Sequence, residues 1–366
     1  MKNNDIKRGI YIHIPLCDYM CPYCNYNAEM INNKKYVNKY VDCIIKEIEN
    51  LKIDGNINTI YIGGGSPNFI SDLSMEDLLA VICNKIDILK LDEYTIEAKP
   101  NELEKKRIHI LKKYGINRVS MPIQTLKASD KECLGLKYSK IDVESAINNL
   151  YNEGISNIST DLLLLNYKRS TIESILDEIE SYKINHVTCY SLDEFLNNDM
   201  TNEIEYEYII GLLKNRGYSQ YDLINFSKNY SKGIHNSNYW KRGEYYAVGA
   251  GAHGFINGCR YSNYSDIKEY IYRVENGMTS IETVKNLSFK ERIEEEFFLG
   301  LQLLEGINIE ELNSKYLLNT LDIYRSIINK HINFGNLKLN KKILKLTNKG
   351  LLNSSEVLSD FLIDEI

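Results

Sequence analysis

The fold of this chain is decided by the stretch Gly9-Ile-Tyr-Ile-His-Ile-Pro-Leu-Cys17-Asp-Tyr-Met-Cys21-Pro-Tyr-Cys24. The run from Gly9 to Ile14 has the composition of a buried strand. Three cysteines in a C-x3-C-x2-C spacing follow it at once. Thiol groups therefore leave the carboxyl end of the first predicted strand, which is where parallel α/β folds build their sites.

Beyond this stretch, short β-rich runs alternate with longer helical patterns, which is typical of βα units and a parallel sheet. The predicted strands are Gly9–Ile14, Thr59–Ile62, Tyr94–Glu97, Arg118–Pro122, Ile158–Leu164 and His186–Ser191. The predicted helices between them are Lys35–Leu51, Ser74–Leu89, Glu102–Tyr114, Ile141–Glu153 and Thr171–Tyr182. Six such repeats favour an α/β fold with an open, partial (β/α)6 barrel, although a doubly wound open sheet has the same local pattern.

The pattern changes after Tyr218, and this change suggests three parts. Residues 1–225 are predicted to form the barrel, and residues 226–285 a connecting region rich in Tyr, Asn and Gly. Residues 286–366 contain charged helical patterns, including Ser288–Leu304, and a lysine-rich end. We predict a small, mainly helical, winged-helix-like domain there.

Composition limits the classes of function. The 366 residues are 43% apolar and 26% charged with a net charge of −6, which is typical of a globular protein without a basic face for nucleic acid. No apolar run approaches the about 20 residues that a membrane-spanning helix needs. The polar start, Met1 to Gly9, does not resemble an export signal, so we expect a cytoplasmic protein; its oligomeric state stays open.

The eight cysteines indicate reduced thiols or metal ligation rather than a disulfide framework. Cys17, Cys21 and Cys24 can share one metal centre. Zinc would usually need a fourth ligand, whereas a [4Fe–4S] cluster held by three cysteines leaves one iron open to a substrate or cofactor. The simpler alternative is that three small residues pack in a loop. The other five are Cys43, Cys83, Cys133 and Cys189, which we interpret as small buried residues, and Cys259, which stays undecided.

Other polar or glycine-rich positions fall at or near the C-terminal ends of successive predicted strands. Gly63, Gly64, Gly65 and Ser66 end the second strand, with a spacing that matches neither the dinucleotide fingerprint nor the phosphate loop. Alone, this run fits an ordinary tight turn equally well. Three more such residues are Glu97, Gln124 and Asp161, each of which could singly be a cap or a buried hydrogen-bonding group. Their common position at one edge predicts a site there.

Further motifs follow the cysteine loop along nearly the whole chain. They are Gly63-Gly-Gly-Ser-Pro67, Ile96-Glu-Ala-Lys-Pro100, Ser120-Met-Pro-Ile-Gln124, Ser159-Thr-Asp-Leu162, His186-Val-Thr-Cys-Tyr-Ser-Leu192, Gly249-Ala-Gly-Ala-His253 and Phe297-Phe-Leu-Gly-Leu-Gln-Leu-Leu-Glu-Gly306. With the cysteine loop, they resemble the radical S-adenosylmethionine (SAM) superfamily. More narrowly, the chain resembles the oxygen-independent coproporphyrinogen III oxidase-like group, which implies a partial radical SAM barrel with a small C-terminal domain.

This resemblance implies cofactors and the residues that hold them. Cys17, Cys21 and Cys24 would hold a [4Fe–4S] cluster, and SAM would chelate its open iron. Reduction would then split SAM into methionine and a 5′-deoxyadenosyl radical, which is chemistry that belongs to the cofactors. The positions that match the family's SAM contacts are Tyr11, Tyr23, Gly64, Gly65, Ser66, Glu97, Gln124 and Asp161.

Two features place the chain within this group. Tyr26 stands where the true oxidase has a further cysteine, and the chain contains His235-Asn236-Ser-Asn-Tyr239-Trp240, a motif of the haem-chaperone branch. The resemblance implies that His235, Asn236, Tyr239 and Trp240 bind haem, with imidazole as a common axial ligand and aromatic faces for the porphyrin. Considered without the family, a histidine is more often a structural hydrogen-bonding group.

Three departures from the family pattern affect the predicted SAM site. Leu136 stands where the family has an arginine, and the neighbouring Lys137 lacks the bidentate geometry of arginine. Lys99 replaces the usual asparagine before Pro100, and the segment Asp161-Leu-Leu-Leu-Leu-Asn-Tyr167 differs from the usual Asp-Leu-Ile-x-Gly-Leu-Pro. They leave open whether SAM is cleaved.

The leading hypothesis is a haem chaperone that binds a cluster, SAM and haem and passes haem to an acceptor haemoprotein, with an electron donor as a further partner. The second is a radical SAM enzyme that acts on a porphyrinogen or another tetrapyrrole. The third is a scaffold that binds zinc or a degenerate cluster and carries out no redox chemistry.

Overall fold

The computed structural model of the chain describes residues 7–19, 29–30, 33–164, 167–191, 202–229 and 231–363. Twelve strands of the described chain form one large sheet. They are β1 (Lys7–Ile14), β2 (Asn56–Gly64), β3 (Glu93–Glu97), β4 (Arg118–Gln124), β5 (Asn157–Leu164), β6 (His186–Ser191), β7 (Ser219–Gln220), β8 (Asn225–Ser227), β9 (Tyr245–Val248), β10 (His253–Ile256), β11 (Cys259–Asn263) and β12 (Ile281–Asn286). A short parallel pair, Leu16–Cys17 with Glu29–Met30, extends from the end of β1.

Helices connect these strands. Those of the sheet region are α1 (Lys34–Asn50), α2 (Asp72–Lys85), α3 (Lys105–Lys113), α4 (Ala128–Cys133), α5 (Lys140–Asn152), α6 (Arg169–Ser181), α7 (Asn202–Asn215), α8 (Ile234–Trp240) and α9 (Ile267–Glu275). Side-chain caps fix several of their starts. In α5, for example, Ser139 and Asp142 form a reciprocal capping box, which satisfies two amide groups that the first turn leaves unbonded.

The sheet runs in the order β12-β11-β10-β9-β1-β2-β3-β4-β5-β6-β8-β7. Its centre, from β9 to β6, is parallel, and the strands at both ends are antiparallel. The two end strands, β12 and β7, are not paired with each other. The predicted α/β fold with an open, partial barrel is therefore confirmed.

All six predicted strands are present with nearly the predicted bounds, because buried parallel strands are almost continuous apolar runs. The chain after Tyr218 differs from the irregular stretch that we predicted. It adds the six strands β7 to β12 to the same sheet. These strands are two to six residues long and carry many polar residues, so no long hydrophobic pattern marks them.

A second hydrophobic core, built around Phe297, Tyr324 and Phe361, begins in the helix after the large sheet. Its helices are α10 (Phe289–Gly300), α11 (Ile309–Tyr316), α12 (Thr320–Ile323), α13 (Arg325–Asn333), α14 (Asn348–Leu352) and α15 (Ser354–Asp360). Its small antiparallel sheet has the order β13-β15-β14, formed by β13 (Ile307–Asn308), β14 (Leu337–Asn340) and β15 (Ile343–Leu346). The predicted mainly helical C-terminal domain is confirmed, whereas the three-part division of the chain stays a prediction.

Among the described residues, no helix is both long and apolar enough to cross a membrane.

Candidate functional site

The residues predicted from strand ends lie at one edge of the parallel sheet. Gly64 pairs with Ile14 just before the cysteine loop, Glu97 is the last residue of β3, and Gln124 is the last residue of β4 beside Leu162. Parallel strands bring their carboxyl ends together, so β1 to β5 supply one continuous site. Cys21, Tyr23, Cys24 and Tyr26 lie outside the described residues, whereas Cys17, the first of the predicted cluster ligands, lies within them.

Cys17 lies directly against the glycine run. A Cβ atom placed on Gly65 would lie 2.7 Å from Cys17 Sγ and 2.8 Å from the Leu16 carbonyl oxygen. The Gly65 amide donates to the Ile14 carbonyl at 2.9 Å. Glycine is therefore required at position 65 because the backbone approaches the thiol closely, which joins the two sequence motifs into one structure.

The cysteines outside the loop are spread over the fold. Cys43 and Cys189 are buried as predicted, and Cys83 is partly buried. The expectation of burial was wrong for Cys133, which is exposed where the short helix α4 ends.

The amide groups of the glycine turn are already used inside the protein. Gly64 N–H donates to Glu97 Oε2 at 3.0 Å, and Ser66 N–H donates to the Leu16 carbonyl at 2.8 Å. The Ser66 hydroxyl donates to Glu102 at 2.7 Å. The Ser66 carbonyl also accepts from the Phe69 N–H at 2.9 Å, so the turn is fixed by its own hydrogen bonds. Ser66, predicted as a SAM contact, fastens the turn to Glu102 through its hydroxyl.

Glu97 is held by two donors and is partly buried. The Tyr61 hydroxyl donates to Glu97 Oε1 at 2.7 Å while Gly64 N–H donates to the other oxygen. Burial raises the pKa of Glu97 to about 7, against the lowering effect of these two hydrogen bonds; Asp161 raises it further and Arg118 opposes this. A carboxyl group with this pKa can be ionised or protonated near neutral pH, and a nearby cation would favour the ionised form.

Gln124 and Asp161 complete the edge. Gln124 has φ = 58°, a left-handed backbone conformation that is costly for a residue other than glycine, and its buried Oε1 has no hydrogen-bond partner within the described chain. Burial raises the pKa of Asp161 to about 6, although a Thr188 hydrogen bond and Arg118 lower it. Gln124 thus retains a buried acceptor without a partner in the described chain, and Asp161 a carboxyl group whose ionised form burial disfavours.

Tyr11 belongs to the barrel interior. Its hydroxyl is 2.8 Å from His13 Nδ1, and its ring lies 6.1 Å from the ring of Tyr61, the neighbouring residue on β2. Tyr11 therefore lies beside the predicted site and packs with the rings of His13 and Tyr61.

Two of the departures from the family pattern meet on one aromatic ring of the cysteine loop. Lys99 Nζ lies 4.0 Å and Lys137 Nζ 4.5 Å from the centre of the Tyr19 ring. Lys99 also pairs with Asp18 at 2.5 Å. Burial lowers the pKa of Lys99, but Asp18 and Glu102 outweigh burial and the net shift is upward. Two cations therefore hold the loop that begins at Cys17.

The predicted haem motif forms α8, and its histidine is enclosed. His235 is 1% exposed. Its Nδ1 is 2.9 Å from the Thr59 hydroxyl, and its Nε2 is 2.7 Å from the Tyr239 hydroxyl. Burial lowers the pKa of His235 to about 3, so the ring is neutral. An axial haem ligand must offer a ring nitrogen to iron, and in this structure both nitrogens already have partners.

The rest of the motif is also tied to the protein. Trp240 Nε1 donates to Asp222 at 3.1 Å, and Tyr239 packs edge-on against Tyr245 at 4.5 Å between ring centres. Asn236 is partly exposed. Trp240 lines a cavity of about 390 Å³ beside the C-terminal domain, with Leu303 among its neighbours.

Sequence reasoning missed three buried residues that connect these parts. Tyr61 donates to Glu97; Glu93 accepts the amides of Ile234 and His235 at 2.5 and 3.3 Å; and Arg118 is 2% exposed inside the barrel. Tyr61 could have been found from its spacing to Gly63. Residues two apart on a strand share a face, so the Tyr61 side chain lies on the same face as position 63 of the glycine run. No comparable signal marks Glu93 or Arg118.

The donor set fits a cluster and SAM at the strand ends. A thiol against a glycine turn, a buried Gln124 oxygen without a partner in the described chain, and two carboxyl groups are arranged around one edge. The surroundings of His235 do not fit an axial haem ligand, because its ring nitrogens are occupied.

Comparison with known families gives two matches. The family model for the Radical SAM superfamily matches residues 11–179, and that for the HemN C-terminal domain matches residues 287–352. These ranges correspond to the larger part of the parallel barrel and to most of the second core.

Among curated proteins, the chain is 31% identical to "Heme chaperone HemW" of Lactococcus lactis, over 97% of this chain and 97% of that protein. It is 29% identical to "Heme chaperone HemW" of Bacillus subtilis, over 97% of this chain and 99% of that protein. Among solved structures, coproporphyrinogen III oxidase (HemN) from Escherichia coli matches with a TM-score of 0.84 and 16% identity, over 97% of this chain and 90% of that one. That structure shows the shared fold.

Proposed function

Because the chain belongs to the radical SAM superfamily, in the haem-chaperone branch of the oxygen-independent coproporphyrinogen III oxidase-like group, we propose that it holds a [4Fe–4S] cluster and SAM and passes haem to an acceptor haemoprotein. The proposal places this protein in the cytoplasm with an electron donor as a second partner. The bacterial relatives that match over the whole chain carry the name heme chaperone, and this supports the haem part.

The observation that carries the cofactor part is the contact of Cys17 with the glycine turn. We propose Cys17, Cys21 and Cys24 as the cluster ligands. The carbonyl groups of the turn would bind the SAM ammonium, and Glu97, Gln124 and Asp161 would bind the rest of the molecule through hydrogen bonds. When bound, the cluster and SAM supply one-electron chemistry. The chain's own residues orient SAM and keep water away.

The haem-binding residues are a separate part of the proposal. Asn236, Tyr239 and Trp240 stay predicted haem contacts, and Trp240 already lines a cavity. His235 would ligate haem only if α8 left its place, because the ring nitrogens are bonded to Thr59 and Tyr239. We therefore assign no axial ligand from the geometry.

The test begins with protein reconstituted with iron and sulfide under anaerobic conditions. We expect about four irons per chain, saturable binding of SAM, and saturable binding of haem measured by absorption. We then expect the haem spectrum to appear on an apo-haemoprotein acceptor that is mixed with the loaded protein and separated from it. Protein without a cluster is the control for the role of iron and sulfur.

Different results would contradict different parts. Zinc in place of iron would favour the scaffold hypothesis. A cluster with SAM but no haem binding, together with 5′-deoxyadenosine formation on adding coproporphyrinogen III, would favour the tetrapyrrole enzyme. Haem binding without release to any apo-haemoprotein would contradict the chaperone role.

A further inference from the structure

We propose that His235 is a positioning residue for the SAM site, acting through Tyr61 on Glu97 and the glycine turn, and is not the haem ligand. This inference rests on the proposed function for the identity of SAM as the ligand at the strand ends. It assigns to the haem motif a role in the barrel that the motif alone does not suggest.

The first step is how the start of α8 is held in place. Glu93 accepts the amides of Ile234 and His235, and Thr95 donates to the other Glu93 oxygen at 2.8 Å. A charged acceptor that satisfies the first amides of a short helix fixes its position strongly. The helix is thereby attached to β3, whose last residue is Glu97.

The second step is the ring of His235. It stacks on the ring of Tyr61 with 5.4 Å between centres and 28° between planes. A Cβ atom on Gly9 would lie 3.0 Å from His235 Cε1, so strand β1 also packs closely against the imidazole ring. His235 therefore fills a closed space and fixes the plane of Tyr61.

The third step connects Tyr61 to the site. Its hydroxyl donates to Glu97 Oε1, and Glu97 Oε2 accepts from Gly64 N–H. A Cβ atom on Gly63 would lie 2.9 Å from the Tyr61 ring and 3.1 Å from Glu97 Cδ, so the absence of a side chain at Gly63 permits this contact. One aromatic side chain and one carboxylate thus join α8 to the turn that meets Cys17.

The experiment compares Tyr61→Phe, which removes only the hydroxyl, with His235→Gln, which keeps a polar group but loses the ring. His331→Gln is the matched control, because His331 is also fully buried and bonded to Asp360 at 2.9 Å, but it lies in the C-terminal domain. Three quantities are measured: SAM affinity of cluster-loaded protein, the absorption spectrum of bound haem, and amide hydrogen exchange of the glycine turn in ligand-free protein.

We expect Tyr61→Phe and His235→Gln each to weaken SAM binding about tenfold, the effect of losing one hydrogen bond to a charged group. Both should speed amide exchange at the turn. The double variant should bind SAM no more weakly than Tyr61→Phe, because both changes act through one hydrogen bond. The haem spectrum should be the same in wild type and His235→Gln, and His331→Gln should match wild type throughout.

A changed axial-ligand spectrum in His235→Gln, with normal SAM affinity and normal exchange, would overturn the proposal. Fast amide exchange at the glycine turn in Tyr61→Phe, with exchange as in wild type in His235→Gln, would also overturn it. If His235→Gln does not fold, Tyr239→Phe removes the hydroxyl at His235 Nε2, and a smaller change in the same direction is expected. Because exchange is measured without ligands, it tests the coupling even if wild type binds neither SAM nor haem, a result that would reject only the proposed function.

Discussion

The two motif regions of this barrel differ in how their polar groups are used. At the strand ends, Gln124 Oε1 is buried without a partner in the described chain, and burial raises the pKa values of Glu97 and Asp161. In α8, His235, Tyr239 and Trp240 all have partners within the protein. Both regions stand out in the sequence. Within the described chain, however, it is the strand ends that keep a buried polar atom for a ligand to bond, whereas these three α8 side chains are already bonded inside the protein.

The physical reason is the cost of an unsatisfied group. A buried polar atom without a partner costs about 1–3 kcal/mol, and a protein that keeps such an atom usually satisfies it with a ligand or water. A histidine with both ring nitrogens bonded within the protein already contributes these hydrogen bonds to the stability of the fold. Four changes test this comparison, beginning with the removal of a cluster ligand and ending with a single surface cation.

Cys17→Ala should have the largest effect, because the proposed cluster site loses one of its three thiolate ligands. We expect nearly complete loss of bound iron and sulfide after anaerobic reconstitution. Cys83→Ala is the control, since Cys83 is a partly buried cysteine in α2 that bonds the Tyr114 carbonyl. Equal iron content in the two variants would contradict the placement of the cluster at the strand ends.

Glu93→Gln should reduce stability, because a neutral amide oxygen would replace the carboxylate that accepts from Ile234 and His235, and the new NH2 group would face the Thr95 hydroxyl. We expect a loss of about 2 kcal/mol in the free energy of unfolding, measured by denaturant titration. Glu104→Gln on the surface is the control, with an expected change within about 0.5 kcal/mol. If both variants unfold alike, α8 is not held as we describe.

SAM affinity should depend on the protonation of Glu97. Burial raises its pKa to about 7, Tyr61 and Gly64 N–H lower it, Asp161 raises it and Arg118 lowers it. Because the ionised form accepts hydrogen bonds, affinity should be high at pH 8 and fall as the pH decreases through about 7. We expect about a tenfold weaker affinity at pH 6, measured by equilibrium dialysis.

Glu97→Gln is the control for this pH dependence. It should bind SAM weakly at both pH values, with a flatter profile in which Asp161, whose pKa burial raises to about 6, still contributes. A profile as steep as that of wild type would show that another group controls the affinity.

Lys137→Met should have the smallest effect. It removes one exposed cation from the Tyr19 ring, and the contact of Lys99 with the same ring remains. A cation–π contact at an exposed position contributes about 0.5–1 kcal/mol, so iron loss to a chelator should speed up about two- to fivefold. Lys113→Met, which removes a similar contact on Tyr114, should leave the rate unchanged.

The strand ends were largely predictable from sequence, and the interior of the barrel was not. The strand pattern locates the carboxyl edge of the sheet, so Glu97 at the end of β3, Gln124 at the end of β4 and Asp161 in the second half of β5 could be placed near it. Tyr61, Glu93 and Arg118 lie within strands, and their partners come from distant parts of the chain. No local pattern carries that information.

His235 shows that a motif match can find a residue without showing what its side chain does. Considered without the family, it was expected to be a structural hydrogen-bonding group, and its contacts with Thr59 and Tyr239 agree. The resemblance suggested haem ligation instead. Ser66 is a similar case, because its hydroxyl is taken up by Glu102. Motif matching identifies positions, whereas the use of each side chain depends on tertiary contacts.

The pairing of β1 with β9 also has a consequence for synthesis of the chain. Gly9 to Ile12 pair on one side with β2 and on the other with Tyr245 to Val248, which are made much later. Until then, the strand that leads to Cys17 is a bare sheet edge, and such edges recruit other chains. A fragment that ends at residue 225 would keep that edge exposed permanently, and we expect it to aggregate even though it contains the six parallel strands β1 to β6.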